Sequence, residues 1–331
     1  MKKDAFIIYS PLHAYIVDSL VGYYDMKNVD VYMSKMFDFK FTNKVNIIKI
    51  YHGGSQVNKY KKLVFFIFNT ILFRKRKYDS LFIANDADPF TMYFEKLFEY
   101  KELNYIDEGC SYLSKVQFKL NESGYGSRSD ILKKIFKLDS HNVCLSSDKI
   151  KNAYVFFPNE LEKLNSKPIY NDLKNYIFTT NHNVNIDEKF KNPDILILTQ
   201  PLTEDSHCTN YQEVKVIESV IKNNLDKKIV IRLHYRDDIK KYEQFTSYQN
   251  VLIMNELLDF PYQILHTEIN PKNIYSFISS ILFSSEPTNI DFKRVSMIDK
   301  IDSVRAKNYK VIFNQLHDYF DDFYFLEDLE K

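Results

Sequence analysis

Ile229-Val230-Ile231-Arg232-Leu233-His234-Tyr235-Arg236-Asp237-Asp238 is the stretch on which the fold turns. A β-branched run follows the turn-like Asn223-Asn224-Leu225-Asp226 and breaks abruptly into polar residues. That pattern predicts a buried parallel strand delivering side chains to the carboxyl edge of a sheet. Open α/β sheets bind ligands in the crevice beyond that edge. Here the edge carries His234 between the guanidiniums of Arg232 and Arg236, a set suited to a phosphate. The same residues also fit a solvated surface turn, so the rest of the chain decides between the two.

Outward from this stretch, strands and helices alternate. Strands are predicted at residues 5–10, 29–32, 45–51, 80–84 and 103–106, with a further element at 153–158. Helices are predicted from Pro11 through Leu20 and at 60–76, 90–100 and 131–136, Pro11 suiting a first helical turn. After Asn192-Pro193 the pattern restarts with a strand at 194–198 and a helix at 211–223. The strand at 229–233, a helix from Asp238 and a strand at 251–255 follow. An element opening at Pro271 ends in Ser279-Ser280, and residues 304–326 show helical apolar spacing. The expected fold class is α/β, with two Rossmann-like domains whose parallel sheets face a central cleft. The domains are residues 1–190 and 191–331, with a C-terminal helix crossing back.

Composition excludes several classes. The chain has 331 residues and a formal charge of +1, without the basic face that a nucleic-acid partner requires. Its 25 Tyr and 27 Phe beside no Trp and little Gly fit nucleotide bias in an AT-rich genome. Three scattered cysteines, Cys110, Cys144 and Cys208, point to a reducing, cytoplasmic compartment and against a disulfide frame or structural zinc. No secretory signal is read after Met1-Lys2-Lys3-Asp4. The apolar run 63–73 is about half the ~20 residues a spanning helix needs. It ends in Arg74-Lys75-Arg76-Lys77, either a basic C-terminal turn of a core helix or a peripheral contact with the inner membrane. Six glycines include neither GxGxxG nor a Walker loop, so any phosphate must be held by helix N-termini, hydroxyls and basic side chains.

Several clusters could carry chemistry. Asp107-Glu108-Gly109 follows a strand, and either carboxylate could act as a general base or help cap a helix. Glu204 and Asp205 stand one helix and one strand before His234, so the two loops are expected on the same sheet edge, or the pair caps the helix starting near Tyr211. Ser279-Ser280 offers hydroxyls at a helix start. His13 either faces the cleft or is a structural histidine. Asp86-Ala87-Asp88 has the form of a metal-holding DxD, but Pro89 makes it look like a helix N-terminus with acidic capping. The remaining histidines form no pair with ligand spacing, which argues against zinc.

Taken together, these pieces resemble the bacterial sialyltransferases of glycosyltransferase family 52. The residues that carry the likeness are Asp107-Glu108-Gly109, matching an acidic-acidic-Gly motif, and Arg232-Leu233-His234-Tyr235-Arg236-Asp237, matching a basic-x-His-Pro-Arg motif. Ser10-Pro11-Leu12-His13, Leu198-Thr199-Gln200-Pro201-Leu202 and Ser279-Ser280 support it in the same order. The resemblance implies a GT-B fold, CMP-sialic acid as donor, inversion at the anomeric carbon, and neither cofactor nor metal. The acceptor would be a terminal galactoside of a capsule or lipooligosaccharide glycan. His234 would stabilise the leaving CMP, with Arg232, Arg236, Ser279, Ser280, Gln200 and Gly109 on the donor and Ser10, Pro11 and His13 towards the acceptor. Asp107, Glu108 and Asp205 stay open as the base. Two departures stand out: Tyr235 occupies the place of a proline, and His13 that of a glutamine. Two alternatives are the same scaffold on another sugar nucleotide and a non-catalytic nucleotide-binding protein of a capsule locus. The sequence leaves open whether the chain forms a homodimer.

Overall fold

The computed structural model describes residues 2–35, 37–50, 71–86, 89–107, 145, 147–156, 158–159, 168–177, 184–258, 260–279, 281–284, 291–317 and 320–329. They fall into two compact units, whose described parts are residues 2–177 and 184–329. The sequence reading put the joint at 190/191. Residues 184–190 go with the second unit instead, where Ile186 and Phe190 are buried and Asn192 N–H bonds Ile269 C=O at 2.7 Å.

The first unit holds a parallel sheet of seven strands: β1 (Asp4–Ile8), β2 (Val29–Ser34), β3 (Asn46–Ile50), β4 (Arg76–Ile83), β5 (Phe98–Ile106), β6 (Ile150–Val155) and β7 (Ile169–Asp172). Their order is β3-β2-β1-β4-β5-β6-β7. The second unit holds β8 (Ile195–Leu198), β9 (Ile229–Arg232), β10 (Val251–Met254), β11 (Asn273–Ser276), β12 (Lys293–Ser296) and β13 (Phe323–Phe325), in the order β10-β9-β8-β11-β12-β13. In each sheet the chain first winds outward one way, then returns to the other side of its first strand. The reversals lie between β1 and β4 and between β8 and β11, the places where such sheets open a ligand crevice.

The strands form where the sequence is apolar enough to be covered on both faces. β1, β8 and β9 are buried along their whole length. The helix α1 (Pro11–Tyr23) starts on Ser10, whose hydroxyl accepts His13 N–H at 3.3 Å, with Pro11 in the first turn as its missing donor allows. The other main helices are α2 (Pro89–Leu97), α3 (Asn210–Lys222), α4 (Tyr262–Ile269) and α5 (Val304–His317). Thr209 and Gln212 form a reciprocal capping box at the start of α3.

Several elements differ from the sequence expectation. The helix predicted over 90–100 stops at Leu97, because Phe98 to Glu102 alternate in burial as a strand does and pair with β4. β4 likewise begins at Arg76, earlier than predicted, so Arg76 and Lys77 are strand residues rather than a helix end. Arg76 reaches back to Tyr32 Oη at 3.2 Å and faces Asp30 at 3.8 Å. The helix expected from Asp238 is two short 3-10 turns, Ile239–Lys241 and Glu243–Ser247, shaped by the inward anchoring of Lys241, Tyr242 and Phe245. The helical run expected over 304–326 ends at His317, and Phe323–Phe325 adds a strand beside β12. The end of the expected helical run is therefore a strand of the second sheet. Most of the apolar run 63–73 and the helix at 131–136 lie outside the described residues. Among the described residues no helix is long and apolar enough to cross a membrane.

The N-cap of α1 gives a direct stability test. Replacing Ser10→Ala should lower unfolding free energy by about 1 kcal/mol in urea titrations, and Ser10→Asp should restore most of it. Equal loss in both variants would show that the hydroxyl does not cap the helix.

Candidate functional site

The switch point of the second sheet is assembled by register. Leu198, the last residue of β8, pairs with Arg232 on one side and Ser276 on the other. The chain therefore leaves three neighbouring strands at one level, as Thr199-Gln200, Leu233-His234 and Phe277-Ile278-Ser279. Two bonds stitch the reversal itself: Ser276 Oγ donates to Leu198 C=O at 2.8 Å, and Gln200 Oε1 accepts Ile278 N–H at 2.6 Å. With its oxygen engaged, the Gln200 amide has its two N–H donors left to offer. Ser279 Oγ accepts Ile281 N–H at 3.3 Å and so begins the short helix Ile281–Ser284, as the sequence suggested.

His234 stands at the end of the middle loop, partly buried. Its Nδ1 accepts the backbone N–H of Arg236 at 3.2 Å. An accepting Nδ1 carries no proton, so the neutral ring holds its hydrogen on Nε2 and presents a donor there. Burial first, then the charges of Arg236 and Arg232, push the imidazole pKa down to about 3. The ring is neutral at pH 7, and Tyr235 leans on it with ring centroids 4.4 Å apart.

The flanking charges are placed differently from each other. Arg236 is exposed and holds both oxygens of Asp205 at 3.1 Å, so the loops after β8 and β9 are neighbours as their spacing implied. Arg232 points into the interior at 7% exposure, donating to the carbonyls of Leu257 and Phe260. Burial lowers its pKa to about 10, leaving it cationic. Its two bonds anchor the Leu257 and Phe260 carbonyls to the end of β9.

Apart from Glu204, the groups beneath this edge were given no role by the sequence. Thr199 Oγ1 accepts His234 N–H at 2.9 Å and donates to Asp237 Oδ2. Lys241, buried, pairs with Asp237 at 3.1 Å, Glu204 at 3.0 Å and Glu213 at 3.2 Å. Glu213 also accepts from Thr203 at 2.8 Å and from Tyr242. The capping role considered for Glu204 and Asp205 falls instead to Thr209. Two signals could have found the network: the i,i+4 spacing of Asp237 and Lys241, and a carboxylate on the apolar stripe Glu213, Val216, Ile217, Val220.

In the first unit, β1 and β4 end beside one another at Ser10-Pro11 and at Asp86. His13 is buried, with Nδ1 3.5 Å from Tyr9 N and its ring edge-on to Tyr9. Asp86 accepts the backbone N–H groups of Leu145 at 2.8 Å and Ser147 at 3.0 Å, one on each oxygen, so its carboxylate fastens a loop. Among the described residues no acidic, histidine or cysteine group has metal-holding form. Asp107 is fully buried at the end of β5, with Oδ2 accepting Phe156 N–H at 3.1 Å. Glu108, Gly109, Ser280 and Asp88 lie outside the described residues.

No family model matches the chain, and no curated protein matches it in sequence. Solved structures match its fold. One is a 2,6-sialyltransferase of Photobacterium sp. JT-ISH-224, in a ternary complex with CMP and lactose. It aligns at a TM-score of 0.56 and 12% identity over 98% of this chain and 78% of that one. The UDP-GlcNAc 2-epimerase of Neisseria meningitidis, bound to UDP-GlcNAc, aligns at 0.53 and 13% over 96% and 92%. A third, MnaA of S. aureus with UDP, aligns at 0.53 and 10% over 90% and 79%. The chain has the GT-B class of fold, two parallel-sheet units of the Rossmann kind.

The depressed pKa of His234 has a consequence for stability. An unfolded chain protonates this ring near pH 6.5, while the folded chain resists until about 3. Its contribution is therefore complete above pH 6.5 and falls away as the pH drops through that window. In His234→Phe the acid slope of unfolding free energy between pH 6.5 and 4 should be shallower by up to about 1.4 kcal/mol per pH unit. Superimposable slopes would mean that the ring titrates normally.

Proposed function

We propose that the chain is an inverting glycosyltransferase that takes its sugar from a nucleotide-sugar donor, and that this donor is CMP-sialic acid. The observation that carries the reading is the fixed imidazole at the switch point: a neutral ring whose Nδ1 is occupied, so that Nε2–H is the group it offers. The likeness in fold to a sialyltransferase and to epimerases of UDP-GlcNAc supports a nucleotide sugar in general. The choice of CMP-sialic acid rests on the motif resemblance and on the single phosphate that such a donor carries.

In this reading the bond from the anomeric carbon to the CMP phosphate oxygen breaks as the acceptor hydroxyl oxygen bonds the opposite face of that carbon. Charge accumulates on the departing phosphate, and Nε2–H of His234 donates to it. Ser279 and the amide of Gln200 lie on adjoining loops of the same edge and serve the phosphate or the sugar carboxylate. Arg236 adds positive charge there while it holds Asp205. A base must take the acceptor proton. Asp205 has both oxygens on a guanidinium and Asp107 is buried against Phe156 N–H. Glu108, next in the chain, is therefore assigned the base. Asp86 is not assigned a metal, because both its oxygens hold backbone amides.

Transfer from CMP-sialic acid to lactose is the direct assay, run with and without EDTA. Activity should persist in EDTA, His234→Ala should lower kcat by about 10²–10⁴-fold, and Glu108→Gln should fall in the same range. Calorimetric titration should show CMP binding more tightly than UDP. A preference for UDP would move the chain to another sugar nucleotide, the reading that the two UDP-associated neighbours favour. Unchanged turnover in His234→Ala would overturn the mechanism.

A further inference from the structure

Both polar groups of the His234 peptide are tied to partners in the surrounding loops. The N–H donates to Thr199 Oγ1 at 2.9 Å. The C=O accepts Asp237 N–H at 2.9 Å, closing a tight turn over Tyr235 and Arg236. The two ties meet, because the Thr199 hydroxyl donates to the Asp237 carboxylate. A hydroxyl has one hydrogen to give, so this bond fixes its direction and turns a lone pair towards His234 N–H.

Asp237 is itself held. Its side chain is fully buried and faces Lys241 at 3.1 Å, which is bound in turn by Glu204 and by the buried Glu213. Burial raises the pKa of Asp237, with Thr199 and Lys241 pulling the other way. Rotating the carboxylate out of this set would part a buried charge from its lysine, which is strongly unfavourable. The network thus joins helix α3 and the loops after β8 and β9 to the peptide of one residue, the one whose ring meets the ligand edge. Residue 235 is the second position of that turn, where a proline would preset the backbone; with tyrosine there, hydrogen bonds must set it.

We propose that Thr199 and Asp237 are positioning residues that aim Nε2–H of His234 at the leaving phosphate. The inference rests on the glycosyl-transfer reading above, and no proton moves through the pair. The test compares Thr199→Val with Thr199→Ser, each alone and combined with His234→Ala. Steady-state transfer from CMP-sialic acid to lactose is measured, together with the ¹⁵N signals of the His234 ring. Thr199→Val should lower kcat about 10–100-fold with the donor KM within about threefold, and Thr199→Ser should recover most of the rate. On the His234→Ala background Thr199→Val should change the rate by less than about twofold, as expected of groups acting through one ring. Should Thr199→Val fail to fold, Asp237→Asn takes its place with the same expected loss. Thr199→Val slowing His234→Ala as much as it slows the parent chain would overturn the proposal, and so would a serine variant no better than valine. If the parent chain transfers from no donor, the function reading fails by itself. The ring signals then decide: a shift in Thr199→Val but not in Thr199→Ser upholds the tether, and unchanged signals in Thr199→Val overturn it.

Discussion

Parallel pairing of Leu198 with Arg232 and Ser276 is the constraint from which the second unit's edge follows. Because the three strands end in register, the residues after them emerge side by side, and short polar side chains suffice to join them. Thr199 reaches His234, Gln200 reaches Ile278, and Ser276 reaches back to Leu198. A slip of one residue in β9 would turn Arg232 out of the interior, since side chains alternate along a strand. The apolar sequence of these strands, covered on both faces, is therefore what aims the polar residues beyond them.

The electrostatics at this edge sort into two layers. Outside, Arg236 and Asp205 pair in solvent, an interaction of small energetic weight that chiefly orders the loops. Underneath, three carboxylates share one lysine away from water. Such a cluster adds little net stability and is better understood as fixing one arrangement of the loops and α3. His234 sits between the layers, kept neutral by burial and by the guanidiniums on either side.

Much of this was legible in the sequence. The break from Ile229-Val230-Ile231 to Arg232-Leu233-His234 marked both a strand and the edge it serves, and the restart at Asp194 marked a second unit. Boundaries were harder wherever aromatic residues satisfy two periods at once. Phe94 and Phe98 fit a helical stripe, yet Phe98, like Tyr100, belongs to β5. Arg232 shows why a motif does not fix a role: its spacing fitted a phosphate ligand, while its guanidinium turns inside to the carbonyls of Leu257 and Phe260. Thr199 and Asp237 were present in the quoted stretches, but their partnership crosses a strand, a helix and two turns, which no local pattern encodes.

Arg232 leaves one further mark on the molecule. Its described partners are carbonyl oxygens, which orient the guanidinium without cancelling its charge. A lasting cation therefore lies just beneath a rim whose own imidazole is uncharged. Its pull on an approaching anion is opposed by the carboxylates gathered around Lys241, and dissolved salt weakens both with distance. Ionic strength thus sets how far from the rim this balance of charge is felt, and leaves groups already in contact largely untouched.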